Sequence, residues 1–341
     1  MNVLPSKWSP WKSTIAWLVR DTFRQSLAYG ICWILLGVSV LAIGVCASAG
    51  VTGSVQLAAP GENPDFLPPN DRDSHDAKKL KQSGVVVVGG DLTLAFGAIR
   101  VPLARDDRGA VHFLQLVLAG GVADTLGLLL ALVWTAGFLP GFLDGRSISV
   151  LLAKPAPRWA LLAGKYVGVL VFVLCHATLF VGGTWLAIGM RTHVWDPTYL
   201  WCIPLLLLHF AVFFSMSLLL AVCTRSTVVC VFGSILFWFV TWGLNYGRHV
   251  LAASATALPE GHFSSALMWL VDLGYWILPK PADFSVLLFN ALDAKNYFGP
   301  LFDLKTLQAH GFSIGLSIAT SLAFTAYTLF ASGRRFAAMD Y

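Results

Sequence analysis

Three side chains able to hold or pass a proton lie within long apolar runs: Asp124, His176 and His209. A carboxylate and two imidazoles are the groups from which an intramembrane proton relay is built. A carboxylate in hydrocarbon is costly unless it is neutral or paired, so Asp124 is expected to face the protein interior, on a substrate path or at a helix contact. Around it Ala119, Ala123, Gly127 and Ala131 recur every four residues, a small-residue seam that would let a second helix approach closely. Nothing in the spacing requires the three groups to meet. A hydrogen-bonded structural Asp and helix-packing histidines are the alternative reading.

Other chemistry is excluded by what the chain lacks. Gly164-Lys165 is followed by Tyr166, where a phosphate-cradling loop requires Ser or Thr, and neither H-E-x-x-H nor G-x-S-x-G occurs. The chain is therefore expected to be no enzyme, with no catalytic residue, cofactor or metal of its own. Cys32, Cys46, Cys175, Cys202, Cys223 and Cys230 all fall in or beside apolar runs. That pattern is neither a disulfide framework nor a metal site, and packing is the expected role.

These residues need a membrane to position them. Of 341 residues 57% are hydrophobic and 12% charged, and the mean hydropathy is +0.71, outside the range of soluble domains. At about 1.5 Å per residue, six runs are long enough to cross a core of about 30 Å: 27–49, 113–139, 167–190, 200–223, 228–245 and 312–331. The fold class is thus an all-α membrane protein with six transmembrane helices. With the N-terminus inside, the inner segments (1–26, 140–166, 224–227, 332–341) carry 11 Lys/Arg against 3 Asp/Glu, and the longer outer segments 12 against 14. This positive-inside bias places both termini in the cytoplasm of a multi-pass inner-membrane protein. No cleavable signal peptide is expected, because the first run is too long for one.

Between the spans the pattern changes. Trp8, Trp11, Ile15 and Leu18 recur at helical spacing among Lys7, Lys12, Arg20 and Arg24, which predicts an interfacial helix before the first span, with a cytoplasmic extension of that span as the alternative. The outer segment 50–112 opens with the composition of solvated chain over Pro60–Lys81. It then alternates Leu92, Leu94 and Phe96 with Thr93, Ala95 and Gly97, and continues through Ile99, Val101 and Leu103. That period of two predicts a small β-hairpin or meander with Gly89-Gly90-Asp91 as a turn. In the outer segment 247–311, Ala266–Leu278 and Phe284–Leu292 are each too short to span and are split by Pro279-Lys280-Pro281. A re-entrant hairpin in the outer leaflet is one reading, a surface amphipathic pair the other.

The inner segment 140–166 is basic and amphipathic, broken at Lys154-Pro155. Ile148, Leu151 and Leu152 form an apolar face, while Asp144, Arg146 and Ser147 are polar; Arg158 and Lys165 are expected at the anionic inner surface. Such a stripe buries itself in lipid or in a partner's groove.

The run LPGFLDGRSISVLLAKPAPRWALLAGKYVG resembles the loop of the type-2 ABC exporter permeases, particularly the nitrous-oxide-reductase maturation group. The match rests on Leu139, Pro140, Asp144, Ser147, Ile148, Leu151, Leu152, Lys154, Pro155, Arg158, Gly164, Lys165, Tyr166 and Gly168. VRDTFRQSLAYG before the first span and Arg334-Arg335-Phe336 with Asp340-Tyr341 after the last also resemble that group. Phe142 departs from it, standing where an acidic residue is usual. The resemblance implies an N-terminal elbow helix, a cytoplasmic coupling helix seated on a separate ATP-binding subunit, and re-entrant helices before the last span. It implies two ATP-binding subunits, which bind the ATP and Mg, and a second permease copy; the lipid bilayer is the remaining partner, with no nucleic acid. Asp144, Arg146, Ser147, Ile148, Leu151, Leu152, Lys154 and Arg158 are then the candidate ATPase-coupling residues. From other classes, a proton-coupled secondary transporter would use Asp124, His176 and His209, and a non-transporting scaffold would use the β-like outer segment.

Overall fold

The structure, a computed structural model, describes residues 10–28, 30–52, 56–57, 87–88, 90–105, 107–143, 157–254, 265–292 and 313–339. It is mostly helical. Five helices are long and apolar enough to cross a membrane, six if a bent pair, Ala16–Ala28 with Cys32–Ala47, is taken together as one span. Helices satisfy every backbone group within the segment, which hydrocarbon demands.

Helix α1 (Pro10–Ala28) turns through 77° into α2 (Gly30–Ala47). α3 (Asp107–Leu116) runs on through a π-helical stretch, Val117–Gly127, into α4 (Leu128–Phe142). α5 (Arg158–Thr192) starts after Pro157 and stops where His193 turns left-handed. α6 (Cys202–Thr224) stops in the same way at Arg225, from which α7 (Thr227–Ser254) returns. α8 (Ser265–Ile277) and α9 (Pro281–Ala291) follow as two short helices, and α10 (Ile314–Ala337) ends the bundle. The helices outrun the apolar stretches that announce them. The helix that holds the expected fifth span, 228–245, runs on to Ser254, and its Asn245 and His249 meet a buried polar partner in α9.

The packing face of α10 is its polar one. Ser317, Ser321, Thr325, Thr328 and Ser332 are buried, while Leu322, Tyr327 and Phe330 are exposed. Small hydroxyl residues let helices approach closely and bond their own i−4 carbonyls, as Thr325 does to Ser321 O at 2.9 Å and Ser332 to Thr328 O at 2.7 Å. Thr328 also donates to Ser215 of α6 at 2.8 Å.

α1 crosses α5 closely. A Cβ at Gly168 would stand 2.7 Å from Thr22 Oγ1 and 3.3 Å from the Val19 Cα, so only glycine fits there. Beside it Lys165, fully buried, donates to Gln25 Oε1 at 2.6 Å, and Gln25 donates to Asp21 Oδ2 at 2.8 Å. Lys165, expected at the inner membrane surface, is thus buried against α1 in a polar chain with Gln25 and Asp21.

A three-stranded antiparallel sheet caps the bundle beyond α2, in the order β1 (Gly50–Thr52), β4 (Gly90–Leu94), β5 (Ile99–Arg105); β2 (Gln56–Leu57) pairs with β3 (Val87–Val88). Leu92 faces Val101 and Leu94 faces Ile99. The turn is not Gly89-Gly90-Asp91. Gly90 and Asp91 lie within β4, and the chain reverses over Ala95–Gly97, where all three residues have positive φ. Gly97 adopts that backbone without strain, whereas Phe96, at φ 56°, is held there at a cost and is 88% exposed.

Candidate functional site

Two apolar clusters fill the bundle. One is built on Leu132, Trp134, Phe172, Phe210 and Phe214, the other on Cys46, Leu116, Phe180, Ile188 and Leu288. Along the second span the change from one to the other falls between Ala119 and Leu128, and along α6 between Leu206 and Phe210. Asp124 and His209 sit at those two changeovers. They meet there: His209 Nδ1 and Asp124 Oδ1 are 2.5 Å apart, and Ser285 of α9 donates to Asp124 Oδ2 at 2.8 Å.

The pair is 6% and 1% exposed, so neither group is solvated. With Asp124 ionised, His209 donates from Nδ1 and its Nε2 becomes a bare acceptor. That atom has no hydrogen-bond partner among the described residues, and an unfilled lone pair is a smaller penalty than a buried unpaired N–H. Phe284 stacks on the imidazole at 5.5 Å and Phe213 meets it edge-on at 5.3 Å. The π-helical turns carry Asp124. Their wider winding is marked by the Leu128 backbone N–H donating to Ala123 O, five residues back, and by the Thr125 hydroxyl donating to Gly120 O at 3.0 Å, and π-helical turns are frequent at functional sites.

Of the expected small-residue seam, Ala119 and Ala131 are buried within the two apolar clusters. Ala123, Gly127 and Ala131 line a cavity of about 70 Å³ between α2, the second span, α5 and α6. Winding with i→i+5 bonds breaks the spacing of four on which the seam depended. His176 lines this cavity too, away from Asp124, with its Nε2 3.1 Å from Ser39 Oγ. Since the Ser39 hydroxyl donates to Leu35 O at 3.0 Å, it accepts from His176. Of the three groups proposed for a relay, two are thus paired and the third is partnered elsewhere.

The largest polar assembly was not read from the sequence. Asp283, 1% exposed, accepts from Asn245 Nδ2 at 3.1 Å, from His249, whose Nε2 lies 2.5 Å away, from Tyr275 OH at 3.0 Å and from Ser317 Oγ. Its own backbone N–H donates to Asn245 Oδ1 at 3.0 Å. Just before it Lys280, also 1% exposed, donates to Thr320 Oγ1 at 2.5 Å and lies 4.4 Å above the Tyr275 ring. Asp283 therefore ties α7, α8 and α10 together, while Ser285, two residues on, ties α9 to the Asp124–His209 pair. The available signal was the Asp283-Phe284-Ser285 run after the Pro-x-Pro break, polar residues in an otherwise apolar piece.

At the other end of the bundle Arg158 donates from Nη1 to the carbonyls of Ala337 and Met339, at 3.0 and 2.8 Å. It clamps the end of α10. Asp144, Arg146, Ser147, Ile148, Leu151, Leu152 and Lys154 lie outside the described residues. The cysteines are unbridged, with Cys32, Cys46, Cys202 and Cys230 buried and Cys175 and Cys223 exposed.

A family model described as ABC-2 family transporter protein matches residues 23–340. A search of curated proteins finds no match.

Proposed function

Because this chain belongs to the ABC-2 transporter family, and is a membrane permease that pairs with an ATP-binding subunit, we propose that it is the passive, non-catalytic half of an ATP-driven exporter. Two permease copies and two ATP-binding subunits form the transporter in the inner membrane, with both termini cytoplasmic. ATP and Mg bind the partner. Closure of the ATPase pair pushes on residues 144–152, which serve as the coupling helix, and shifts the bundle between inward- and outward-facing arrangements.

The observation that carries this reading is the family match over 23–340, which takes in every candidate span from α2 onward. Three features support its finer parts. The 77° bend between α1 and α2 suits an elbow helix at the membrane surface. The buried α9, held by Asp283 and Ser285, suits a re-entrant hairpin with α8. Lys154-Pro155 and Gly164-Lys165-Tyr166 favour kinship with the nitrous-oxide-reductase maturation group. The Asp124–His209 pair favours a second reading, a proton-coupled transporter.

The coupling surface is tested by Leu151→Asp, which puts a charge on the apolar stripe. The variant is expected to insert and fold but to lose the ATP-binding subunit on co-purification; retention of the subunit would overturn the assignment of that face.

A further inference from the structure

Next to the helix ends that carry Arg158 and Arg334 the bundle is not closed. α5, α6 and α10 leave a groove of about 480 Å³ walled by Trp159, Val167, Leu218 and Phe330. Trp159 is 56% and Phe330 64% exposed, so the groove opens sideways rather than onto another helix. Gly333 lies along it, and nothing stands within 4 Å of the place its Cβ would take.

Charge enters the groove at one end only. Arg334 lines it there, with its guanidinium 5.9 Å from the Phe330 ring, and Arg335 follows on the last turn of α10. Among the described residues neither has a carboxylate within ion-pair reach. Apolar walls exclude a polar occupant along the groove, and a guanidinium at its mouth selects a negative group there. A phosphodiester offers paired acceptor oxygens to which a guanidinium fork donates two parallel hydrogen bonds. Trp159, an amphipathic ring at the same end of α5, is the residue type that sits at headgroup level.

The geometry points to a site for one anionic phospholipid, with an acyl chain in the groove between α5 and α10 and its phosphate on Arg334. The site needs only a chain embedded in a bilayer; the orientation proposed above supplies the leaflet, the cytoplasmic one.

The test is native mass spectrometry of the purified, delipidated full chain, without the ATP-binding subunit, mixed with equal amounts of phosphatidylglycerol and phosphatidylcholine. Its outcome is therefore independent of the coupling assignment. The wild type is expected to keep one phosphatidylglycerol with about fivefold preference, the factor that about 1 kcal/mol per guanidinium provides. Arg334→Gln should abolish the preference, Arg335→Gln should keep it, and Gly333→Leu, which fills the groove, should lose the lipid altogether while circular dichroism stays helical. The proposal is overturned if Arg334→Gln keeps the preference or if Arg335→Gln loses it equally, the mark of diffuse surface charge. It is also overturned if Gly333→Leu retains the lipid, or if that variant loses a second copy of the chain in place of a lipid.

Discussion

Replacing Asp283 by Ala removes an acceptor that four donors share, from Asn245, His249, Tyr275 and Ser317. The site is closed to water, since Asp283 is 1% and His249 5% exposed. Each buried donor left alone costs about 1–3 kcal/mol, but the four do not add. Tyr275 and Ser317 lie 3.5 Å apart and their hydroxyls can bond each other, and removing the carboxylate also removes its own desolvation cost. Asn245 Nδ2 and His249 Nε2 lose their shared carboxylate acceptor, which puts the loss at about 3–5 kcal/mol, the range for stripping one member from a buried pair. Asp283→Asn is the internal control. Its amide oxygen can serve Asn245 and His249 while its NH₂ faces two hydroxyls that are able to accept, so the cost falls to about 1–2 kcal/mol. Thermal unfolding of the purified chain in detergent should rank the midpoints wild type, then Asp283→Asn, then Asp283→Ala. A midpoint for Asp283→Ala equal to the wild type would refute the reasoning, and an Asn variant as unstable as the Ala variant would shift the explanation from hydrogen bonding to charge.

Two further substitutions probe the other helix ties. Gly168→Leu drives a side chain into Thr22 and Val19, so α1 must lift from α5 at about 1–3 kcal/mol; the unfolding midpoint should fall, and an unchanged one would mean that α1 does not rest there. Arg158→Gln removes the bonds to Ala337 and Met339, each worth about 1 kcal/mol. Amide hydrogen exchange should quicken over residues 334–339 and stay unchanged in the middle of α5.

The helical character of the spans was legible because hydrocarbon leaves so few solutions: a long apolar run has to be a helix, and the described residues of the six runs are mostly helical, although the first run begins in α1 and crosses the bend into α2. The buried face of α10 was less so, since its hydroxyl stripe reads as polar surface by the rules of soluble proteins and as the packing face only once lipid is the solvent. The hairpin turn was misplaced because Gly89-Gly90-Asp91 is a strong local turn signal, yet β1 pairs with this stretch and keeps Gly90 and Asp91 in a strand. Asp124 was singled out correctly as a buried group needing a partner, but the choice of His209 over His176 depends on how the second span, α5 and α6 pack. Asp283 and His249 lie 34 residues apart and come together where α9 packs against α7, a contact that no local spacing encodes. The burial of Lys165 likewise depends on the approach of α1 at Gly168.

The central claim is that this bundle moves only when a separate protein closes on ATP. It is tested by placing a spin label at Trp201→Cys, an exposed position at the start of α6, in both permease copies of the complex, with the native exposed Cys175 and Cys223 replaced. The distance between the two labels is then measured with and without trapped ATP. The account predicts a shift on ATP trapping that disappears when the partner's phosphate-binding lysine is substituted. A shift that survives that substitution, or one that follows pH and is abolished by Asp124→Asn, would contradict it.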